Sequence, residues 1–260
     1  MPRRSLCAAQ MDRSGRSSGI ADTSASLGRL VADPAHGPLP ALMLVLTFLT
    51  GVVDAVSILT LGRVFVANMT GNVAFVGFII GGATGFSLSA TLSALGAFLV
   101  GAALGGAVAG GRLGSHRGRL LAVVAGGELV LVLAALVAAA VAGAHPGEGE
   151  RDGIAALLAL ALGAQSAAVR HVKVYEFATV VITMTLTGIA ADLRHRDHFA
   201  MLRRLLAVGA VAAGAAAGAV LVLEVSNVAA LALAAALLVI VVAGASAASR
   251  SPAEWQAPRP

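Results

Sequence analysis

Apolar residues run through this chain in long blocks rather than in stripes. Segments near residues 40–62, 64–84, 87–110, 119–143, 153–170, 177–191, 203–223 and 227–247 are built mainly of Ala, Gly, Leu and Val. Most approach the ~20 residues that carry a helix across a hydrocarbon core. Strict alternation of polar and apolar positions is lacking, which argues against a membrane β-barrel. The pattern predicts an all-α polytopic membrane protein.

Two blocks break the pattern. In the second, "FVANMTGN" (65–72) sets Asn68, Thr70, Gly71 and Asn72 inside an apolar run, and in the sixth, "FATVVITMTLTG" (177–188) sets Thr183, Thr185, Thr187 and Gly188. Irregular backbone at membrane depth survives only where protein or a water-lined cavity satisfies it. Asn and Thr side chains supply such partners, and glycine adopts backbone conformations other residues resist. The expectation is that the helix breaks at both places.

Charge then decides how many blocks cross. Charged residues are 12% of the 260 and AVILMFWYC residues 58%, against about a quarter charged in a soluble domain, and mean hydropathy is +0.90. If all eight blocks crossed, with the Arg-rich N-terminal segment inside, Arg112, Arg117 and Arg119 would lie outside and the acidic loop Glu148, Glu150, Arg151, Asp152 inside. Both placements oppose the rule that cytoplasmic loops collect Lys and Arg. Letting the second and sixth blocks enter and return on one side moves every biased loop to the expected face. The predicted fold is six transmembrane helices plus two re-entrant or broken segments, both termini cytoplasmic.

The net charge of +5 resides almost wholly in scattered arginines, Lys173 being the sole lysine. They are not clustered with aromatics, so nucleic acid is not an expected partner. Residues 1–38 read as a disordered basic cytoplasmic tail without the apolar core of a secretory signal, and 249–260 as a second tail. The single cysteine, Cys7, excludes an intrachain disulfide.

The membrane region divides into 39–143 and 153–248, and the two parts resemble each other weakly. Gly51 and Gly163 lie 112 residues apart, as do Phe65 and Phe177, while Thr70–Thr187 and Gly71–Gly188 match at 117. Each part reads as a spanning block, a broken block and two Gly-rich spanning blocks. Three crossings per part would invert the second relative to the first, the arrangement of many secondary transporters, whose sites lie near the midplane at discontinuous helices.

Within the apolar blocks, Asp54 is the candidate charge-bearing or proton-coupling group, because a carboxylate at that depth costs several kcal/mol unless paired or wetted. A structural hydrogen bond to Asn68, Asn72 or Arg63 is its alternative role. Asn68, Thr70, Gly71 and Asn72 would line the first broken segment, and Gln165, Thr183, Thr187 and Gly188 would be their counterparts. Gln165 also suits interhelical hydrogen bonding, and Glu128 is a secondary candidate. Gly101, Gly105, Gly214 and Gly218 form GxxxG spacings that read as helix packing. His195 and His198 have a spacing a metal could use, but nothing completes a site. No GxSxG, HExxH or GK[ST] motif occurs, so neither an enzyme, an ATP-driven pump nor a cofactor is expected.

At "TFLTGVVDAVSILTLGRVFVANMTGNVAFVG" and "ALGAQSAAVRHVKVYEFATVVITMTLTGIAADL" the sequence resembles the YoaK-like family of bacterial integral membrane proteins, a domain of unknown function, over roughly residues 40–245. The resemblance implies a six-crossing protein of the bacterial inner (plasma) membrane and brings no substrate. Ile58 stands where an aromatic would be expected in many members, a departure that bears on cavity shape. The functional expectation is a transporter or channel-like protein for an unidentified small solute or ion, with a midplane site between two inverted halves. A non-transporting scaffold or sensor is the alternative. Its partners would be the lipid bilayer, that solute and, as a further option, a second copy of the chain.

Overall fold

The computed structural model describes residues 36–143, 146–172 and 198–250, and among them the architecture is entirely helical. Six helices are long and apolar enough to cross a membrane. In chain order these are α1 (Leu39–Thr60), α3 (Leu88–Gly110), α4 (Arg117–Ala142), α5 (Glu148–Val172), α6 (His198–Glu224) and α7 (Asn227–Ser249). At 1.5 Å rise per residue even the shortest spans about 33 Å, enough for a ~30 Å core. The chain therefore has the fold of an all-α polytopic membrane protein. The sixth apolar block, with Thr183, Thr187 and Gly188, lies outside the described residues.

The second block behaves differently from the spanning ones. Only its later part is helical, as α2 (Met69–Ile80), and 12 residues reach about 18 Å, too short to cross alone. The chain leaves α1 through Gly62 at φ +87° and Arg63 at φ +59°, a left-handed pair that cannot continue a helix. Leu61, Val64 and Val66 remain fully buried along the irregular stretch that follows.

Helix association in lipid has no hydrophobic drive, so backbones must approach closely enough for dispersion to hold them. Two glycine-lined crossings do this. In the first, α1 packs on α6: a Cβ on Gly51 would run into the Val211 carbonyl, one on Gly214 into the Phe48 carbonyl, and one on Gly218 would sit 2.8 Å from the Val52 carbonyl. In the second, α3 packs on α5, with Gly101 against the Leu160 carbonyl, Gly105 against that of Ala164, and Gly163 against that of Phe98. Helices α4 and α7 pack on each other, and also on α5 and α1 respectively. The result encloses α1 most, 67% of its apolar window being buried against 17% of that of α6. Leu99, Val100, Leu104, Val130, Val137, Val220 and Ile240 stand outward, as lipid contact requires.

Polar side chains close the helix ends. Ser87 accepts from the Ala90 amide at the start of α3, and Ser226 from the Ala229 amide at the start of α7, both as N-caps. At the other end of the bundle, buried Arg117 donates through Nε and Nη2 to the Val172 carbonyl at the end of α5. His171 Nε2 lies 3.4 Å from the Gly114 carbonyl beside it.

The glycine crossings carry a direct test. Gly101→Ala should destabilise the purified protein by about 1–3 kcal/mol through overpacking against Leu160. Gly106→Ala, where an added methyl meets nothing within 4 Å, should leave the melting temperature unchanged or slightly raised. Equal melting of the two variants in detergent would refute the α3–α5 contact.

Candidate functional site

The first spanning helix carries its polar residues on one face. Thr47, Thr50, Asp54 and Ser57 follow at spacings of three, four and three, which places them in line along α1. Thr47, Thr50 and Ser57 are buried. The hydroxyls of Thr50 and Ser57 donate to the Leu46 and Asp54 carbonyls, the common way for a hydroxyl to be satisfied in a membrane helix. The carboxyl of Asp54 has no such recourse. It faces the backbone amides of Val66 and Ala67 in the irregular stretch, yet its Oδ1 is buried with no hydrogen-bond partner among the described residues. No hydrogen bond joins Asp54 to Asn68, Asn72 or Arg63 among the described residues.

A second polar group lies beside the same face, from two other helices. Glu128 on α4 and Gln165 on α5 are buried, at 1% and 5% exposure. With the Gln165 amide assigned so that its nitrogen faces the carboxyl, it donates to Glu128 Oε1 and Oε2 at 2.7 and 2.9 Å. The other end of that amide is then its oxygen, 3.4 Å from Thr50 Oγ1. Three helices thus meet through Thr50, Gln165 and Glu128. Thr50 is 11 residues from Leu39 and Glu128 11 from Arg117, about 16 Å of rise in each case, near the middle of both spans.

The polar residues of "FVANMTGN" separate by role. Asn72, fully buried, clasps the backbone of Phe65: its Oδ1 accepts from the Phe65 amide at 2.9 Å and its Nδ2 donates to the Phe65 carbonyl at 2.6 Å, with a further contact to Met69 Sδ at 3.7 Å. Gly71 lies under the Phe65 ring, where a Cβ would come within 2.5 Å of Cδ2. That ring stacks on Phe75, which also meets Phe78 and Phe86, so half of the eight phenylalanines gather around the short helix. Asn68 and Thr70 are exposed at the start of α2, and Asn68 makes no side-chain cap. The structure brings together Gln165 and Glu128, and sets Asp54 against the segment that Asn72 and Gly71 hold in shape.

Thr50, Thr47 and Ser57 were not among the sequence-derived candidates, although their three-and-four spacing with Asp54 is visible in the chain. A cleft of about 690 Å³ opens at the end of α1 beyond this face. It is bounded by Ile58 to Thr60, Gly62 and Arg63, by Gly85, by Pro146 and Arg151, and by the α6–α7 turn. Ile58, one turn beyond Asp54, is part of its wall.

A family model described as "Protein of unknown function (DUF1275)" matches residues 42–244. No curated protein matches the chain, and no solved structure matches it.

The carboxyl–carboxamide pair is testable by a double-mutant cycle. Gln165→Leu leaves a buried carboxyl without its donors and should cost about 2–4 kcal/mol. Adding Glu128→Met should recover most of that loss, since an apolar pair of similar volume needs no partner. Losses that simply add, followed by thermal unfolding in detergent, would show that the two side chains do not interact.

Proposed function

Given that the chain belongs to the DUF1275 family, a family of unknown function, we propose that it is a transporter or channel-like protein moving a small solute through a site near the bilayer midplane. The observation that carries this reading is Asp54. A carboxyl in the interior of a spanning helix, with one buried oxygen that has no hydrogen-bond partner among the described residues, is an expensive feature to keep for structure alone. A proton, a cation or a solute donor is the natural partner for that oxygen. Thr47, Thr50 and Ser57 extend a polar line along the same helix face, and Gln165 and Glu128 adjoin it.

Two further observations support a mechanism in which one half rocks against the other. Half-length α2 with its irregular lead-in is the kind of discontinuous element that transporters place at their sites. The contacts among the six spanning helices also remain the same set when α1 is exchanged with α5, α3 with α6 and α4 with α7. Gly101 and Gly105 on α3 then correspond to Gly214 and Gly218 on α6, each pair 113 residues apart, and Gly51 corresponds to Gly163. That exchange is what two inverted repeats would produce.

The protein is read as a non-enzymatic component of the inner membrane with both termini cytoplasmic. The reading is supported by the sorting of charge: Arg112, Arg117 and Arg119 fall at the α3–α4 end of the bundle, and Glu148, Glu150, Asp152 and Glu224 at the opposite end.

In a Cys7→Ser background, Thr50→Cys should react with a membrane-impermeant thiol reagent applied from either side in turn. Complete protection from both sides would favour a scaffold over a pathway. Comparing the metabolites of a deletion strain with those of an overexpressing one supplies the solute, and Asp54→Asn should abolish its coupled flux. A well-folded Asp54→Asn protein with full flux and coupling would remove Asp54 from the mechanism.

A further inference from the structure

The cleft beyond Asp54 has a chemistry of its own. Its walls come from four places in the chain: the end of α1 and the turn after it, Gly85 before α3, Pro146 and Arg151 at the start of α5, and Val222, Val225, Ser226 and Asn227 around the α6–α7 turn. The charged side chains on that lining are two arginines, Arg63 and Arg151, with no acidic residue among them.

Neither guanidinium is spent elsewhere. Among the described residues no ion pair or hydrogen bond is recorded for either side chain, and the Nε of Arg151 is buried without a partner. Arg63 Nη1 lies over Gly85, 3.5 Å from where a Cβ would stand, which places the guanidinium beside the Gly85 wall of the cleft. The nearby carboxylates do not face into the cleft. Glu150 folds back to accept from the Gly147 amide at 2.8 Å, and Glu148, Asp152 and Glu224 are not part of the lining.

Helix dipoles do not decide the sign of the cleft. The C-terminal ends of α1 and α6 and the N-terminal ends of α5 and α7 all reach it, and their partial charges oppose one another. What the lining itself presents is two guanidinium groups. To these Asn227 adds an amide nitrogen, its oxygen being taken by the Val228 amide at 2.8 Å. Unengaged guanidinium groups are suited to bidentate recognition of phosphate or carboxylate. A volume of about 690 Å³ falls in the range of small-molecule sites and leaves space for the body of an organic anion.

We propose that this cleft is a recognition site for an anion bearing a phosphate or carboxylate group, held between Arg63 and Arg151. As the entry to the pathway it rests on the transport reading, and it narrows the solute to an anion. As a binding site it stands independently of that reading.

The test uses the full chain purified in an uncharged detergent, with inorganic phosphate as the probe. Phosphate should bind saturably, by calorimetry and by a rise in melting temperature. Arg63→Gln and Arg151→Gln should each weaken binding about tenfold or more, and the double variant should abolish it. Arg112→Gln, an exposed arginine at the other end of the bundle, should bind as the parent does. The Arg63→Lys/Arg151→Lys variant keeps the charge and guards against misfolding: it should retain weakened binding.

Absence of saturable binding, or equal loss in Arg112→Gln, overturns the proposal. Native mass spectrometry and nanodiscs separate the two sources of the phosphate group. A phospholipid that co-purifies with the parent but not with Arg63→Gln/Arg151→Gln, and that blocks inorganic phosphate in phosphatidylglycerol nanodiscs, would assign the site to lipid headgroups and overturn the solute role. Equal phosphate binding in phosphatidylcholine and phosphatidylglycerol nanodiscs supports a soluble anion. Phosphate binding without any solute flux removes the transport reading and leaves the site. Flux of a neutral solute without phosphate binding removes the site alone.

Discussion

A backbone that leaves the helix inside hydrocarbon must find a partner for every N–H and C=O it frees, and the stretch between α1 and α2 is built around that demand. Asn72 meets it at Phe65 from both directions, its carboxamide standing where a neighbouring strand would otherwise pair. The carboxyl of Asp54 faces the next two amides, of Val66 and Ala67. Gly71 then gives the Phe65 ring a place to lie, and Phe75, Phe78 and Phe86 close around it. The amides and the glycine in this apolar run are thus what lets the chain be irregular there. Of the groups committed to the task, Asp54 alone keeps a buried acceptor without a partner among the described residues, and this separates it from the purely supporting residues.

Helix association answers the same solvent in another way. Lipid tails are as apolar as leucine, so stability comes from contact at short range and from hydrogen bonds between helices. Glycines on α1, α3, α5 and α6 bring helical backbones against one another, and α4 packs on α5 closely enough for Glu128 and Gln165 to pair. The pair lies beside Thr50 on α1, 3.4 Å from its hydroxyl oxygen. Close backbone packing sets the positions, and the polar groups add a specific register that apolar packing alone would not select.

Much of this was legible in the chain because the solvent imposes lengths. Run length marked out the spanning blocks but not the short second helix, whose block at 64–84 is as long as theirs; loop charge and the polar interruption argued for that block turning back. The starting point of that block was not legible. Val64 and Val66 are as apolar as any helical residue, so hydropathy begins the segment at 64, whereas the helix begins at Met69. The stripe of Thr47, Thr50 and Ser57 was hidden for a different reason: threonine and serine satisfy themselves on their own helix, so each looks unremarkable singly, and only their spacing with Asp54 carries information. Glu128 and Gln165 are 37 residues apart and meet only through tertiary packing. The departure noted at Ile58 does fall on a cavity wall.

The order of charges along the α1 face constrains any solute that would use it. Two guanidinium groups stand at the cleft, a carboxyl follows one turn below Ile58, and a further carboxyl, Glu128, lies close to Thr50 deeper in the bundle. In a medium of low dielectric constant such alternation is severe: an anion favoured at the arginines is repelled by an ionised Asp54, and a cation favoured at Asp54 is repelled at the mouth. A bare ion of either sign therefore meets a barrier somewhere on this line. The barrier falls when the charge at Asp54 is cancelled as the solute arrives, by a proton taken up on the carboxyl or by a cation accompanying an anion. Asp54 Oδ1, without a partner among the described residues, is the group able to accept either.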